Sequence, residues 1–165
     1  MKEEPNMNMT IITVGKIKEK FYRDAIGEYL KRLSRYCKIN IVEVADEKTP
    51  DRCSDREVEL ILEKEALRIM KCIKDDDFVI TLEIKGKQFD SVEFAGMIEN
   101  LGISGKSNIA FVIGGSLGLH EDVTKRSDLA LSFSKMTFPH QLMRVILLEQ
   151  IYRGYRIISR EPYHK

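Results

Sequence analysis

The chain has no tryptophan, only four prolines and only three cysteines in its 165 residues. Cys37, Cys53 and Cys72 are odd in number, widely spaced and form no CxxC pair. That spacing argues against a disulfide framework and against a zinc site, and reduces the three thiols to small apolar side chains. No cluster of metal ligands stands out, so no metal is expected. Long apolar runs are missing too. None approaches the roughly 20 residues that cross a bilayer, and the opening Met1-Lys2-Glu3-Glu4-Pro5-Asn6-Met7 has no apolar stretch of the signal-peptide kind. The expectation is a cytoplasmic protein that does not enter a membrane. Repeats, low-complexity tracts and linkers are absent as well. Residues 7–165 therefore read as one domain behind a disordered extension at 1–6.

Net charge is only +1, which taken over the whole chain does not suggest a nucleic-acid partner. The distribution is more telling. Residues 15–38 carry eight basic and three acidic side chains, residues 46–77 seven and eleven, and residues 135–165 six and two. Basic ends flank an acidic middle, and ends that meet in the fold make a local phosphate-binding surface. The plainer alternative is a set of solvated helix faces.

Hydrophobic periodicity predicts strands at Met9–Val14, Lys38–Ala45, Phe78–Ile84, Asn108–Ile113 and Leu129–Phe133. The third closes at a turn on Gly86. Helices are predicted at Lys20–Tyr36, from Ser54 to about Ile73, at Ser91–Leu101, at Glu121–Ser127 and from Pro139 to about Ile158. Ser54-Asp55-Arg56-Glu57 fits a capping box. Strands alternating with helices imply an α/β fold with a mostly parallel sheet and helices on both faces. The last helix carries Leu142, Met143, Val145, Ile146, Leu147, Leu148, Ile151 and Tyr152 and has almost no polar side. It must be central or shared with a second subunit. Arg153, Arg156 and Arg160 follow at helical spacing as a candidate basic stripe.

Two loops follow apolar strands near the C-terminus, and α/β proteins place ligands at such ends. The first is Gly114-Gly115-Ser116-Leu117-Gly118, where backbone N–H groups can approach a nucleotide-like ligand. The same residues fit G-x-S-x-G, and Asp122 or Asp128 followed by His140 supply the order of a serine hydrolase. The second loop, Phe133-Ser134-Lys135-Met136-Thr137-Phe138, mixes apolar walls with hydroxyls, as a pocket for a flat ring requires. His140 and Arg144 lie one helical turn apart just beyond it. Tyr163-His164-Lys165 at the end combines stacking, hydrogen bonding and charge, which suits an unstacked RNA base.

Several tracts carry a resemblance: Val14–Lys20, Val44–Lys48, Phe111–Leu119, Ser132–Arg144 and Glu161–Lys165. Over about residues 7–165 the chain resembles the RlmH family, small SPOUT-class ribosomal RNA methyltransferases. The resemblance implies a C-terminal trefoil knot and a homodimer. It implies methyl transfer from S-adenosylmethionine to N3 of a pseudouridine in helix 69 of 23S ribosomal RNA, on assembled ribosomes. It places the cofactor on Leu82, Gly114 and Phe133, Ser134, Lys135, Met136, Thr137 and Phe138. Removing the N3 proton or stabilising the resulting anion falls to His140, Arg144, Tyr163 or His164. Arg144 and Arg153 are assigned to phosphate or anion, and Tyr163 and His164 to a flipped base. The C-terminal tail is expected to order on RNA. Arg153, Arg156, Arg160 and Lys165 are assigned to RNA contact. The competing expectation is a ribosome-binding module without catalysis.

Overall fold

The computed structural model describes residues 7–165, and the extension expected at 1–6 lies outside the described residues. Strands and helices alternate: β1 (Asn8–Val14), α1 (Lys20–Leu33), β2 (Lys38–Val44), α2 (Asp55–Met70), β3 (Phe78–Gln88), α3 (Ser91–Ile103), β4 (Asn108–Ile113), α4 (Glu121–Arg126), β5 (Leu129–Ser132) and α5 (His140–Ile158). The sheet runs β2-β1-β4-β3-β5, and every pairing is parallel. All strand ends of one kind therefore share an edge.

Side chains alternate across a strand, so each inner strand feeds two cores. Met9, Ile11, Ile80, Ile109 and Phe111 meet Ile26 and Leu33 of α1, Phe94 and Ile98 of α3, and Leu147, Leu148 and Ile151 of α5. Ile12, Val14, Val79, Ala110 and Val112 meet Ala66 and Ile69 of α2 and Val123 of α4. The predicted helices on both faces are thus distributed three to one face and two to the other. Burial on both faces explains why β1 and β4 are almost uninterrupted apolar runs.

The predicted capping box opens α2. The Ser54 hydroxyl accepts from the Glu57 N–H at 3.2 Å, and the Glu57 carboxylate accepts from the Ser54 N–H. The helix ends at Met70, three residues before the expected Ile73. The last helix is central within the chain's own helix layer. α5 packs between α1 and α3, and none of its residues is exposed. It ends at Ile158, and Arg160 beyond it is held at φ 54°, with the Glu161 N–H reaching back to the Arg156 carbonyl at 2.9 Å. This is a Schellman-type stop with arginine where glycine is usual, and it turns the tail back along the helix.

β3 departs from expectation. It does not close at Gly86 but continues to Gln88, and both Leu82 and Lys87 pair with Leu131 of β5. The chain between them arcs past β5. A Cβ on Gly86 would stand 2.7 Å from the Ala130 carbonyl group, so only glycine permits this backbone-on-backbone approach.

Candidate active site

The ends of β3, β4 and β5 enclose an open cleft of ≈ 200 Å³. Leu82, Glu83 and Ile84 supply one wall, the loop from Gly114 to Leu119 a second, and Phe133 to Phe138 a third; His140 and Met143 of α5 close the base. The glycine loop is shaped by its own backbone. The Gly118 N–H donates to the Gly115 carbonyl at 3.1 Å, and Gly118 has φ +87°, where a side chain is disfavoured. A Cβ on Gly114 would come within 2.6 Å of the Gly118 carbonyl oxygen. Beneath Gly115 lies the buried Glu65, whose carboxylate accepts from the Glu47 N–H at 3.0 Å. Burial pushes the Glu65 carboxyl up.

The second loop is pinned to β3. The Ser132 hydroxyl donates to the Ile84 carbonyl at 2.8 Å, and the Ser134 hydroxyl accepts from the Met136 N–H at 3.0 Å. Pro139 then begins α5 with no side-chain cap, so the first-turn N–H groups keep no side-chain partner. They lie beside the cleft and offer donors to an acceptor group on a ligand. His140, half-buried in the wall, has no hydrogen bond among the described residues. Burial holds its imidazole below the ordinary value of 6.5, the Arg144 cation adds to that effect, and Asp46 opposes it. A neutral imidazole facing an apolar cleft is equipped to accept a proton.

The structure brings together Leu82, Gly114, Phe133, Ser134, Met136, Thr137, Phe138 and His140. Lys135 lies in the same loop, but its side chain is exposed and forms no part of the wall. Arg144 requires a correction. It is 1% exposed, donates to the Glu43 carboxylate at 2.8 Å and to the carbonyls of Gly15 and Val14 at 2.7 and 3.2 Å. It ties α5 to β1 and β2, and a phosphate has no access to it. The expected basic stripe is also largely spent inside the molecule. Arg153 grips Glu149 at 2.7 and 3.0 Å and lies over the Tyr163 ring at 4.8 Å. Arg156 pairs with Glu161 at 2.7 Å. Arg160 and Lys165 are exposed.

The tail packs on its own chain. Tyr163 packs edge-on against Tyr152 at 5.0 Å, and its hydroxyl donates to Glu149 at 3.2 Å. Burial and the Glu149 carboxylate raise its phenol above the usual range. Such a phenol stays protonated and is a poor base. His164 accepts at Nδ1 from Arg153 at 3.1 Å.

Glu83 and Met143 are wall residues that sequence reasoning did not single out. Glu83 supplies the carboxylate of the wall, and its neighbour Leu82 at the strand end was the available signal. The hydrolase pattern does not assemble. Ser116 and His140 share the cleft, but Asp128 accepts from the Val79 N–H and from Arg126, and Asp122 faces His120. Neither acid orients His140.

The family model described as "Predicted SPOUT methyltransferase" matches residues 7–164. The chain belongs to the SPOUT methyltransferase family. It is 65% identical over 159 residues to "Ribosomal RNA large subunit methyltransferase H" of Clostridium beijerinckii, covering 96% of this chain and all of that relative. The relative of the same description from Clostridium kluyveri is 60% identical over the same share of each chain. A solved structure of the SpoU methyltransferase AviRb from Streptomyces viridochromogenes, in complex with the cofactor AdoMet, aligns at TM-score 0.46 and 11% identity, over 94% of this chain and 59% of that one. Among the described residues of this SPOUT chain, no helix is long and apolar enough to cross a membrane, and no group of His, Cys, Asp and Glu is placed to hold a metal ion.

Proposed function

We propose that this chain, a single domain over residues 7–165, methylates large-subunit ribosomal RNA from S-adenosylmethionine. Its target is N3 of a pseudouridine in helix 69, and it acts in the cytoplasm as a homodimer on assembled ribosomes. The observation that carries the reading is the cleft itself, with apolar walls for a flat ring, a glycine loop, an uncapped helix start and a neutral histidine on one sheet edge.

The residues present fit S-adenosylmethionine. Ile113, Leu131, Phe133 and Phe138 offer apolar surface to an adenine ring, Gly114 and Gly118 offer backbone without side chains, and Glu83 offers a carboxylate to hydroxyl or cationic groups. When bound, the cofactor supplies a methyl group already activated by a positively charged sulfur. The protein's task is then alignment and removal of one proton. Rigid loops pinned by Ser132 and Ser134 serve the first, since alignment can account for much of a methyl-transfer rate. His140 serves the second by taking the proton from N3 of the base as the new N–CH3 bond forms. The dimer accords with the exposed apolar side chains Ile84 and Met136 on the cleft rim. A trefoil knot belongs to the same proposal, and the arc of β3 past β5 at Gly86 supports it.

The test is labelled methyl transfer to ribosomes from a strain lacking this methylation, with protein-free ribosomal RNA alongside. Label in the helix 69 pseudouridine of ribosomes is the expected result. Absence of label from both substrates, with cofactor binding intact by calorimetry, would favour the binding module.

A further inference from the structure

The glycine loop of the cleft ends on a histidine. His120 follows Leu119, is 7% exposed and forms the N-cap of α4, a place where Ser, Thr, Asp or Asn is usual. Its Nδ1 accepts from the Asp122 N–H at 3.1 Å. A backbone N–H can only donate, so Nδ1 is unprotonated and the proton of the neutral ring resides on Nε2. From Nε2 it is donated to the Glu59 carboxylate of α2 at 2.8 Å. One imidazole therefore ties the end of the glycine loop to α2 through one nitrogen and to α4 through the other.

The connection to the cleft is short. Leu119 is a wall residue, and its Cδ2 lies 3.0 Å from where a Cβ on Gly114 would stand, so it leans across the loop onto Gly114. We infer that His120 is a positioning residue for S-adenosylmethionine: its neutral form holds Leu119 and Gly114 in the arrangement that binds the cofactor, and its protonated form releases them. This rests on the placement of the cofactor in the cleft proposed above.

The geometry supplies both arrangements. Once Nδ1 carries a proton, it and the Asp122 N–H are two donors 3.1 Å apart and repel. An acceptor for the new N–H stands close by, the Asp122 Oδ2 at 3.4 Å. Reaching it turns the start of α4 against the ring while Glu59 keeps Nε2. Val123, fully buried beside Ala66 and Ile69 of α2, fixes the body of α4, so the adjustment falls on the loop side, at Leu119. The charged groups facing the ring are acidic: Glu59 from α2, and Asp122 and Glu121 from α4. The hydrogen bond to Glu59 is the main cause that raises the imidazole above its ordinary 6.5, and burial opposes it. His140 is held below 6.5, so the two histidines change form in separate ranges. A histidine raised by the fold stabilises the folded chain when protonated, fully below 6.5 and no longer once pH has risen through the folded value. Loss of cofactor affinity through His120 toward acid pH thus runs opposite to its effect on stability and is not unfolding.

The experiment is calorimetry of S-adenosylmethionine binding from about pH 5 to 8, with urea midpoints alongside. Thr137→Trp, which fills the cleft from an exposed wall position, is measured first; unchanged binding in it would sink the cofactor's placement itself. In the parent, affinity should fall about tenfold toward acid pH, with the fall beginning above 6.5. His120→Asn keeps a side-chain acceptor at the N-cap and does not titrate, so it should bind as the neutral parent does and lose that fall. Glu59→Gln, at a side chain 61% exposed, keeps an acceptor for Nε2–H without the charge and should move the fall to lower pH. His120→Leu, which removes both bonds, should raise KM for the cofactor about tenfold near pH 8 and leave kcat at saturating cofactor within about twofold. No fall in the parent, or one that stays in place in both His120→Asn and Glu59→Gln, would overturn the inference. So would a His120→Leu variant that loses stability but keeps the parent's affinity, since His120 would then be a structural cap alone. If His120→Leu does not fold, Glu59→Gln carries the test.

Discussion

His140 stays neutral at a lower pH than a free imidazole because its cation would lose water on burial and would face Arg144. A base works in its neutral form, so the transfer rate should rise with pH through a value below 6.5 and be flat by neutrality. His140→Gln should cost about 100-fold in transfer and remove that acid limb from the pH–rate profile. An unchanged limb in the variant would assign it to another group. The location of His140 was legible in the chain because a helix start, a proline and a polar loop are local patterns. The fate of Arg144, one turn on, was not. Its partners Glu43, Val14 and Gly15 are 101 to 130 residues away, and nothing in the neighbouring sequence distinguishes a buried tie from a surface cation.

Elements followed their periodicity wherever one face was buried. The capping box of α2 and the apolar faces of α1 and α2 were legible because each is a rule about neighbours within four residues. β3 was misjudged at its end because glycine signals both a turn and a close backbone approach. Gly86 is the second kind. Gly86→Ala should destabilise the protein by about 2 kcal/mol, since the rigid Ala130 backbone leaves no room for a methyl group. Gly27→Ala is the control. Nothing lies within 4 Å of its added Cβ, and in α1 the change should add up to about 1 kcal/mol. Urea midpoints of the two variants, taken side by side, test both signs. A neutral Gly86→Ala would mean that the two strands can separate locally without cost.

At the scale of the molecule, β1, β2 and α5 are joined through one guanidinium group. Glu43 accepts from Arg144 and also from the Ile17 N–H at 3.1 Å, so the tie reaches the segment leading into α1. Arg144→Met would leave two buried carbonyls without their donor and the Glu43 carboxylate with the Ile17 N–H alone, at a cost of about 3 kcal/mol. The expected result is a lower urea midpoint with an unchanged slope, together with weaker methyl transfer as the start of α5 shifts. A variant as stable as the parent would show that water replaces the guanidinium there.

Composition, hydrophobic period and turn chemistry were enough for the α/β class, the parallel sheet and the two loops that line the cleft, because each depends on residues close together in the chain. The C-terminal basic residues show the limit of that argument. Arg144 reads as a cation for phosphate until the fold supplies the Glu43 carboxylate and the Val14 and Gly15 carbonyls to hold it. The tail reads as groups for an unstacked base, and the fold packs Tyr163 and His164 on Tyr152 and Arg153. Whether a charge faces solvent or a partner, and whether a glycine turns or yields room, depends on contacts between segments far apart in the chain. Those contacts exist only once α5 is seated between α1 and α3 and the tail has folded back along it.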